Sequence, residues 1–289
     1  MSEDPVARRP PGPRASGPSA RGTSHSAALF CHLGEGTPTR KDTPMSTILV
    51  TGGTGNLGAL VVARLRARGH EVRVLSRHSP EFPVDLRDGS GLDAAMAGAQ
   101  VVVHCASSPR GGDDLAARHL IAAARRSGTV TNVVYISIVG VDVVPLGYYA
   151  VKRRVERMLE DSGLGVTVLR TTQFHDLVAQ VVATAAKLPV VPLPGGVRVQ
   201  PVAVEEVADR LAELAVPVPA GRVPDMGGPE TRTLADWGRA YLAATGSRRR
   251  VVPLPLAGKA YAGFRRGGNL APGRAVGRIT FGEFLQRRK

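Results

Sequence analysis

A cluster of glycines between an apolar segment and a helical pattern constrains this chain more than any other feature. Residues 47–50 indicate a short buried strand, and apolar residues recur at helical spacing from position 57 onward. The glycines at 53, 55 and 58 fit G-x-G-x-x-G, and those at 52, 55 and 58 fit G-x-x-G-x-x-G. The pattern therefore predicts a strand, a tight turn and a helix in direct succession.

Each glycine has a physical task in this interpretation. The first permits the tight turn, the second lets the backbone approach a pyrophosphate, and the last lets the helix pack closely on the strand. The helix N-terminus then offers unpaired N–H groups and a partial positive charge to the phosphates. A glycine-rich turn without a ligand is the weaker alternative, because a strand precedes the glycines and a helix follows them. The predicted cofactor-binding residues of the turn are Gly52, Gly53, Thr54, Gly55, Asn56, Leu57 and Gly58.

Apolar segments and helical patterns continue to alternate as far as residue 188. Strands are predicted at 47–51, 71–75, 101–105, 132–137 and 165–170, with a short one near 82–84. Helices are predicted at 57–68, 90–97, 114–127, 148–161 and 173–186. Strands that are apolar on both faces indicate a parallel sheet covered by helices on both sides. The predicted fold class is α/β, a Rossmann-type doubly wound parallel sheet with a smaller C-terminal substrate-binding region.

Composition divides the chain into three parts. Residues 1–44 are rich in proline, glycine and serine and have no apolar period, which predicts a disordered tail or a start codon assigned upstream of Met45. Residues 45–188 form the predicted NAD(P)-binding domain. Residues 189–289 form the predicted substrate-binding region, partly integrated with the first domain, and their glycine-rich segment 267–277 is expected to be mobile.

The charge distribution argues against a nucleic-acid partner. The formal net charge is +14, of which residues 247–289 carry +10, without a recognition helix or a set of stacking aromatics. The two cysteines indicate neither a disulfide framework nor a metal site. No apolar run approaches the roughly 18 residues of a membrane span. We therefore expect a cytoplasmic protein with a small-molecule substrate and no membrane partner.

The end of the second strand bears on the choice of cofactor. NAD-selective sites place an acid there, roughly 20 residues past the glycines, whereas this chain has Arg77. A guanidinium suits the 2′-phosphate of NADP(H), so NADP(H) is preferred over NAD(H). Asp85 and Leu86 follow the short third strand, where a carboxylate can meet the adenine amino group. The alternative is that Arg77 and Asp85 simply face solvent.

The candidate catalytic residues are Ser137, Tyr148 and Lys152. Ser137 ends a strand, and Tyr148 and Lys152 stand at i and i+4 of a predicted helix, on one face. An ammonium close to a phenol favours the phenolate and lowers the phenol pKa by roughly 1–3 units. Ser137 would polarise a carbonyl, Tyr148 would transfer the proton, and Lys152 would also bind the nicotinamide ribose. Two alternatives stay open: Tyr148 packs or lines the pocket, or Tyr149 faces the ribose.

Taken together, these motifs resemble the short-chain dehydrogenase/reductase superfamily, and among its branches the atypical, NmrA-like NAD(P)-binding group. The residues that carry the resemblance are Thr51 to Gly58, Arg77, Asp85, Leu86, Ser137, Tyr148, Lys152 and the run Gln200, Pro201 and Val202. The resemblance implies a Rossmann domain and an NADP preference. It also implies cofactor contacts from the loops after the fourth and sixth strands, at Ala106, Ser107, Ser108, Thr172, Gln173 and Phe174.

Two departures from the superfamily keep several functions in view. The separation of Ser137 and Tyr148 is shorter than in nucleotide-sugar epimerases, and Cys105-Ala106-Ser107 stands where many reductases of the superfamily have Asn-Ala-Gly. The first hypothesis is an NAD(P)H-dependent oxidoreductase acting on a small carbonyl or quinone-like acceptor. The second is a non-catalytic NADP(H) sensor that binds a protein partner. An epimerase or dehydratase acting on a nucleotide sugar is the third.

Overall fold

The computed structural model describes residues 45–108 and 111–288, so the prediction for residues 1–44 lies outside the described residues. The strands are β1 (Thr47–Thr51), β2 (Glu71–Ser76), β3 (Phe82–Pro83), β4 (Val101–His104), β5 (Asn132–Ile138), β6 (Val166–Thr171), β7 (Val191–Pro194), β8 (Arg198–Val199), β9 (Gly221–Arg222), β10 (Arg232–Thr233) and β11 (Val251–Leu254). The helices are α1 (Asn56–Ala67), α2 (Leu92–Met96), α3 (Asp113–Ser127), α4 (Gly147–Glu160), α5 (His175–Ala185), α6 (Val204–Leu214), α7 (Leu234–Ala244), α8 (Lys259–Arg265) and α9 (Phe281–Gln286). None of these helices combines the length and the apolarity that crossing a membrane requires.

Seven strands form one sheet in the order β3-β2-β1-β4-β5-β6-β9. Every neighbouring pair in this sheet is parallel. The chain runs outward from β1 to β3 on one side and from β4 to β6 on the other, so the strand order reverses between β1 and β4. The sheet confirms the predicted α/β, doubly wound fold, and such a reversal is where ligands bind in open parallel sheets.

Alternate side chains of the strands point into two apolar layers, one on each face of the sheet. Ile48 and Val50 point to the face covered by α1 and α6, whereas Leu49 points to the face covered by α2, α3 and α4. All three side chains are fully buried. Burial on both faces explains why the strands are continuous apolar runs rather than alternating ones.

After residue 188 the chain builds a smaller layer and then returns to the main sheet. Strands β7 and β11 pair in parallel, β8 and β10 pair antiparallel, and α5, α7 and α9 pack around the buried Trp237. Helix α6 and strand β9 belong to the main sheet and its helical layer. The boundary between residues 188 and 189 stays a prediction.

The glycine-rich segment 267–277, expected to be mobile, is tied into the fold. Asn269 is buried and donates from Nδ2 to the Arg198 carbonyl oxygen over 3.0 Å. The amide of Gly227 donates to the carbonyl oxygen of Arg274 over 2.8 Å. The glycines therefore allow close packing here rather than free movement.

A buried ion pair links α4 to β6. Glu156 accepts from Arg170 Nε over 2.8 Å and from Nη2 over 2.6 Å, and both side chains are almost fully buried. Arg170 also donates to Asp142 over 2.7 Å. Burial alone would raise the pKa of Glu156, but its bonds with Arg170 bring that pKa below the usual value. Because α4 also carries Tyr148 and Lys152, this pair fixes the helix that presents the candidate site.

We expect Glu156→Ala to lower the free energy of unfolding by about 3 kcal/mol or more, because the buried Arg170 loses its bidentate partner. Urea denaturation at neutral pH measures the loss. The matched control is Asp93→Ala, which removes the Arg126–Asp93 pair, whose side chains are 58% and 67% exposed. Such an exposed pair contributes little, so the control should leave the unfolding free energy nearly unchanged. Equal losses in the two variants would contradict a structural role for Glu156.

Candidate functional site

Nine of the predicted cofactor residues meet at a cleft along the carboxyl ends of β1, β2 and β4, where the strand order reverses. Its volume is about 290 Å³. The predicted residues that line it are Gly52, Thr54, Gly55, Arg77, Asp85, Leu86, Ala106, Ser107 and Ser108. The other residues of the glycine turn, Gly53, Asn56, Leu57 and Gly58, do not line the cleft.

The glycine turn has no room for side chains. Gly52 has φ +66°, and a Cβ there would lie 2.8 Å from the backbone of Ala106. A Cβ at Gly58 would lie 2.1 Å from the Gly52 carbonyl oxygen, so only glycine lets α1 pack this closely on the turn. No side chain caps the N-terminus of α1, which begins directly after Gly55. Its first N–H groups are therefore available to an anion, and the cradle suits a diphosphate.

Arg77 stands at the cleft wall just after β2. Its side chain is exposed, and it makes no hydrogen bond or ion pair with the described residues. Nearby, Thr54 donates to Ser76 Oγ over 2.9 Å, which joins the glycine turn to the end of β2. The guanidinium is thus free to take an anion that arrives beside the turn.

Asp85, by contrast, already has a partner. Its carboxylate accepts from Arg87 Nη2 over 2.7 Å and from Arg87 Nε over 3.1 Å. These hydrogen bonds hold the pKa of Asp85 well below its usual range. Leu86 is buried, and its carbonyl oxygen bonds His119 over 3.0 Å. An adenine amino group would therefore share the Asp85 carboxylate with Arg87.

The loop after β4 is anchored by Asp113, the first residue of α3. Its Oδ1 accepts from the Ser108 amide over 2.7 Å, and its Oδ2 accepts from Ser107 Oγ over 2.5 Å. Ala106 closes against the glycine turn, with its amide 3.4 Å from Thr51 Oγ1. Asp113 is only 5% exposed, so one buried carboxylate orders the loop that borders the cleft.

The structure places Tyr148 next to this loop. The Tyr148 hydroxyl lies 2.8 Å from Ser107 Oγ, and the phenol is partly exposed. Lys152 lies one turn further along α4 and is 3% exposed. Its Nζ donates to the Ile136 carbonyl oxygen over 3.3 Å and lies 4.0 Å from Asp113 Oδ2. Tyr148, Lys152, Ser107 and Asp113 therefore form one polar cluster. Ser107 and Asp113 line the cleft, whereas Tyr148 and Lys152 do not.

The expected lowering of the Tyr148 pKa does not occur in this cluster. Burial raises that pKa, the hydrogen bond with Ser107 lowers it in part, and the charge of Asp113 raises it further. Burial lowers the pKa of Lys152, while the charge of Asp113 opposes that change. The ammonium faces Ile136 and Asp113 rather than the phenol alone, which explains the difference from the spacing argument.

Ser137 is not part of this polar cluster, so its role as the partner of Tyr148 stays a prediction. It is 1% exposed and does not line the cleft. Its hydroxyl neighbours the Glu156 carboxylate and, after Arg170, helps to lower the pKa of that group. The strand end was identified from the sequence, but the alternation of side chains turns Ser137 toward the buried ion pair of α4 and β6.

The three predicted residues after β6 contact the C-terminal region and the core. Thr172 is buried and donates from Oγ1 to the Gln200 carbonyl oxygen over 2.5 Å, and Phe174 packs against the core. Gln173 donates from Nε2 to the Tyr149 hydroxyl over 3.1 Å and accepts from Asn269 Nδ2 over 3.3 Å. These contacts join α4 to the C-terminal region, and none of the three residues lines the cleft.

Tyr149, the second candidate to face the ribose, is 5% exposed. It packs edge-to-face against Phe264, with ring centroids 5.8 Å apart. Burial raises its pKa to about 12. Of the two adjacent tyrosines, Tyr148 is therefore the one whose hydroxyl contacts a residue of the cleft wall, Ser107.

Sequence reasoning missed two residues of the site, Asp113 and Arg87. Asp113 is eight residues beyond the strand that precedes it and belongs to no spacing motif, although an acid in the first turn of a helix was a visible signal. Arg87 follows Asp85 by two residues, and nothing in the sequence marks the pair as a cleft element. Both contacts depend on loop geometry.

Comparison with known proteins agrees with this geometry. Residues 52–215 match the NAD(P)H-binding family. The structure of an NADPH-dependent quinone oxidoreductase from Escherichia coli, complexed with NADPH, is similar with a TM-score of 0.69 and 20% identity, covering 83% of this chain and 99% of that chain. A nucleoside-diphosphate-sugar epimerase from Staphylococcus aureus is similar with a TM-score of 0.68 and 18% identity, over the same shares of the two chains. At these identities the likeness shows the fold alone.

Among curated proteins, an uncharacterized protein of Mycobacterium tuberculosis is 34% identical over 131 residues. The match spans 43% of this chain but only 14% of that relative's length. The family match is broader, since it runs from the glycine turn through α6 and covers more than half of the chain. The chain therefore belongs to the NAD(P)H-binding family.

Proposed function

We propose that this protein is an oxidoreductase that uses NADPH to reduce a small carbonyl or quinone-like acceptor. The observation that carries the proposal is the 2.8 Å contact of the Tyr148 hydroxyl with Ser107 Oγ, because Ser107 lines the same cleft as the diphosphate cradle. Hydride transfer to a carbonyl or quinone needs a proton donor at the acceptor oxygen, and a phenol beside a buried lysine is such a donor.

Tyr148 carries its proton at neutral pH, which is the state that the proton donor of a reduction needs. Its pKa lies above the usual value because of burial and the charge of Asp113. NADPH supplies the hydride when it is bound. Tyr148 gives its proton to the acceptor oxygen, and Lys152, one turn further along α4, is held by Ile136 and Asp113.

The preference for NADPH rests on Arg77. Within the described residues it makes no hydrogen bond or ion pair, and the predicted acid Asp85 is already bonded to Arg87. A 2′-phosphate offers Arg77 a bidentate partner, whereas the 2′-hydroxyl of NADH offers a single weaker bond. The glycine turn and the N-terminus of α1 would hold the diphosphate of either cofactor.

An apolar cluster beside Tyr148 supports a flat, conjugated acceptor. Its buried members are Val141, Val144 and Tyr149, and the partly buried side chains packed against them are Ile138, Leu146, Tyr148 and Phe264. Aromatic and aliphatic side chains stack well on a quinone ring and offer few partners to the hydroxyls of a sugar. The small-molecule partner in this proposal is therefore an aromatic or enone-like carbonyl compound.

A non-catalytic NADP(H) sensor with a protein partner is the competing proposal, and one observation favours it. The predicted arrangement of Ser137 with Tyr148 and Lys152 is not assembled, because Ser137 faces Glu156. A sensor needs only the cofactor cradle and Arg77. The two proposals differ in whether Tyr148 matters for anything besides packing.

We expect the purified protein to oxidise NADPH in the presence of at least one acceptor from a panel of quinones and aldehydes. Tyr148→Phe should lower kcat by about 10²–10⁴-fold, because the proton donor is lost, and should leave NADPH affinity unchanged. NADPH absorbance measures turnover, and calorimetry measures affinity. The matched control is Tyr149→Phe, which changes the neighbouring buried phenol. NADPH binding without turnover of any acceptor would favour the sensor instead.

Arg77→Ala tests the cofactor preference. Loss of a charged contact with the 2′-phosphate should weaken NADPH binding by about 10–100-fold and leave NADH binding unchanged. Calorimetric titrations of both cofactors give the comparison. Arg239→Ala is the control, because Arg239 lies on α7 in an exposed pair with Asp236. Equal affinity of the unaltered protein for NADPH and NADH would contradict the preference.

A further inference from the structure

We propose that Ser107, held in place by Asp113, is the hydroxyl that positions the proton of Tyr148, the task that the sequence pattern assigns to Ser137. Both are positioning residues, since they act through Tyr148. The inference rests on the proposed reductase function, and it concerns the side of Tyr148 that faces the loop after β4. Three contacts carry it: Tyr148 to Ser107, Ser107 to Asp113, and Asp113 to Lys152.

The direction of the hydrogen bonds follows from the chemistry of the partners. A carboxylate only accepts, so the single hydrogen of Ser107 Oγ goes to Asp113 Oδ2 over 2.5 Å. Ser107 Oγ is then left as an acceptor toward Tyr148, whose hydroxyl lies 2.8 Å away. The phenol must therefore be protonated for both bonds to exist. Asp113 thus keeps the proton of Tyr148 in place without touching it.

Asp113 is itself fixed on every side. It is the first residue of α3, where a negative charge is favoured by the helix dipole. Its other oxygen accepts from the Ser108 amide over 2.7 Å, and Lys152 Nζ lies 4.0 Å from Oδ2. At 5% exposure, little water competes for these contacts. A carboxylate in this position holds the Ser107 hydroxyl in one orientation.

The same contacts describe what happens when Tyr148 gives up its proton. Ser107 can turn its hydrogen from Asp113 to the phenolate oxygen, and Asp113 keeps the Ser108 amide and the attraction of Lys152. The Tyr148 phenolate and the Asp113 carboxylate then compete for the hydroxyl hydrogen of Ser107. Removing Asp113 should therefore favour the phenolate, whereas removing the Ser107 hydroxyl should disfavour it.

The charged and titratable groups around Tyr148 come from each neighbouring element. Asp113 lies on α3, and Lys152 and Tyr149 lie on α4. Tyr135 lies on β5, and its ring centroid is 4.9 Å from Lys152 Nζ. Cys105 is half-buried in the loop after β4, and desolvation raises its pKa to about 12, so it stays neutral. Glu156 is occupied by Arg170. Asp113 is therefore the carboxylate that acts on Tyr148 most directly.

The test combines a phenol titration with the pH dependence of turnover. Ultraviolet absorbance follows phenolate formation in the cofactor-free protein, and subtraction of the Tyr148→Phe curve isolates Tyr148 among the five tyrosines. Asp113→Asn should move the Tyr148 titration, and the alkaline fall of kcat, to lower pH. Ser107→Ala should move the titration to higher pH and lower kcat by about 10²-fold, because the phenol is misplaced. Ser107→Thr, which keeps the hydroxyl, should restore both.

The matched control is Asp114→Asn, the adjacent carboxylate of α3, which pairs instead with Arg154 over 2.9 Å. Asp114→Asn should shift neither the Tyr148 titration nor the alkaline fall of kcat. The inference is overturned if Asp113→Asn leaves the Tyr148 titration in place, or if Ser137→Ala shifts it and Ser107→Ala does not. Should Asp113→Asn fail to fold, the comparison of Ser107→Ala with Ser107→Thr decides the matter by the same readout.

The two levels of the proposal fail in different ways. The phenol titration requires no turnover, so it decides the roles of Ser107 and Asp113 even if the protein reduces no acceptor. If the enzyme is active but neither substitution shifts the Tyr148 titration, the proposed function stands and this inference is wrong. If the protein is inactive but Asp113→Asn and Ser107→Ala both shift the Tyr148 titration, only the proposed function is wrong.

Discussion

The close approach of two backbones at the reversal of the strand order is the constraint on which the site depends. Gly52 lies so near Ala106 that any side chain would collide with the loop after β4, and Gly58 lies even closer to Gly52. These contacts seat α1 against the sheet with its N-terminus facing the cleft. They also bring the loop that carries Ser107 beside the glycine turn, so the phosphate cradle and the polar cluster share one wall.

Helix α4 connects the chemistry of the site to the stability of the fold. On one part of its buried side it carries Lys152 and Tyr148, and one turn beyond Lys152 it carries Glu156, which pairs with Arg170 of β6. Burial would be costly for either charge alone, and the pairing compensates for it. Ser137 neighbours the same ion pair, whereas the hydroxyl that contacts Tyr148 comes from the loop after β4.

Local patterns predicted the fold well because they reflect local physics. Apolar runs indicated the buried strands, and the glycine spacing indicated the turn, since Gly52 and Gly58 have neighbours that exclude a Cβ. Helical spacing placed Tyr148 and Lys152 one turn apart on α4. The direction of the Tyr148 pKa was wrong, because spacing carries no information about burial or about Asp113, which arrives from a helix 35 residues earlier in the chain.

The amino-acid sequence alone determined the sheet class, the position of the cofactor turn and the cation at the end of β2, because each follows from residues close together in the chain. The tertiary structure decided which hydroxyl meets Tyr148, which carboxylate stands near Lys152, and that Asp85 is already paired with Arg87. Those choices depend on how loops after separate strands meet at one sheet edge. Ser137 illustrates this, since it ends the predicted strand but neighbours Glu156 of α4 rather than Tyr148.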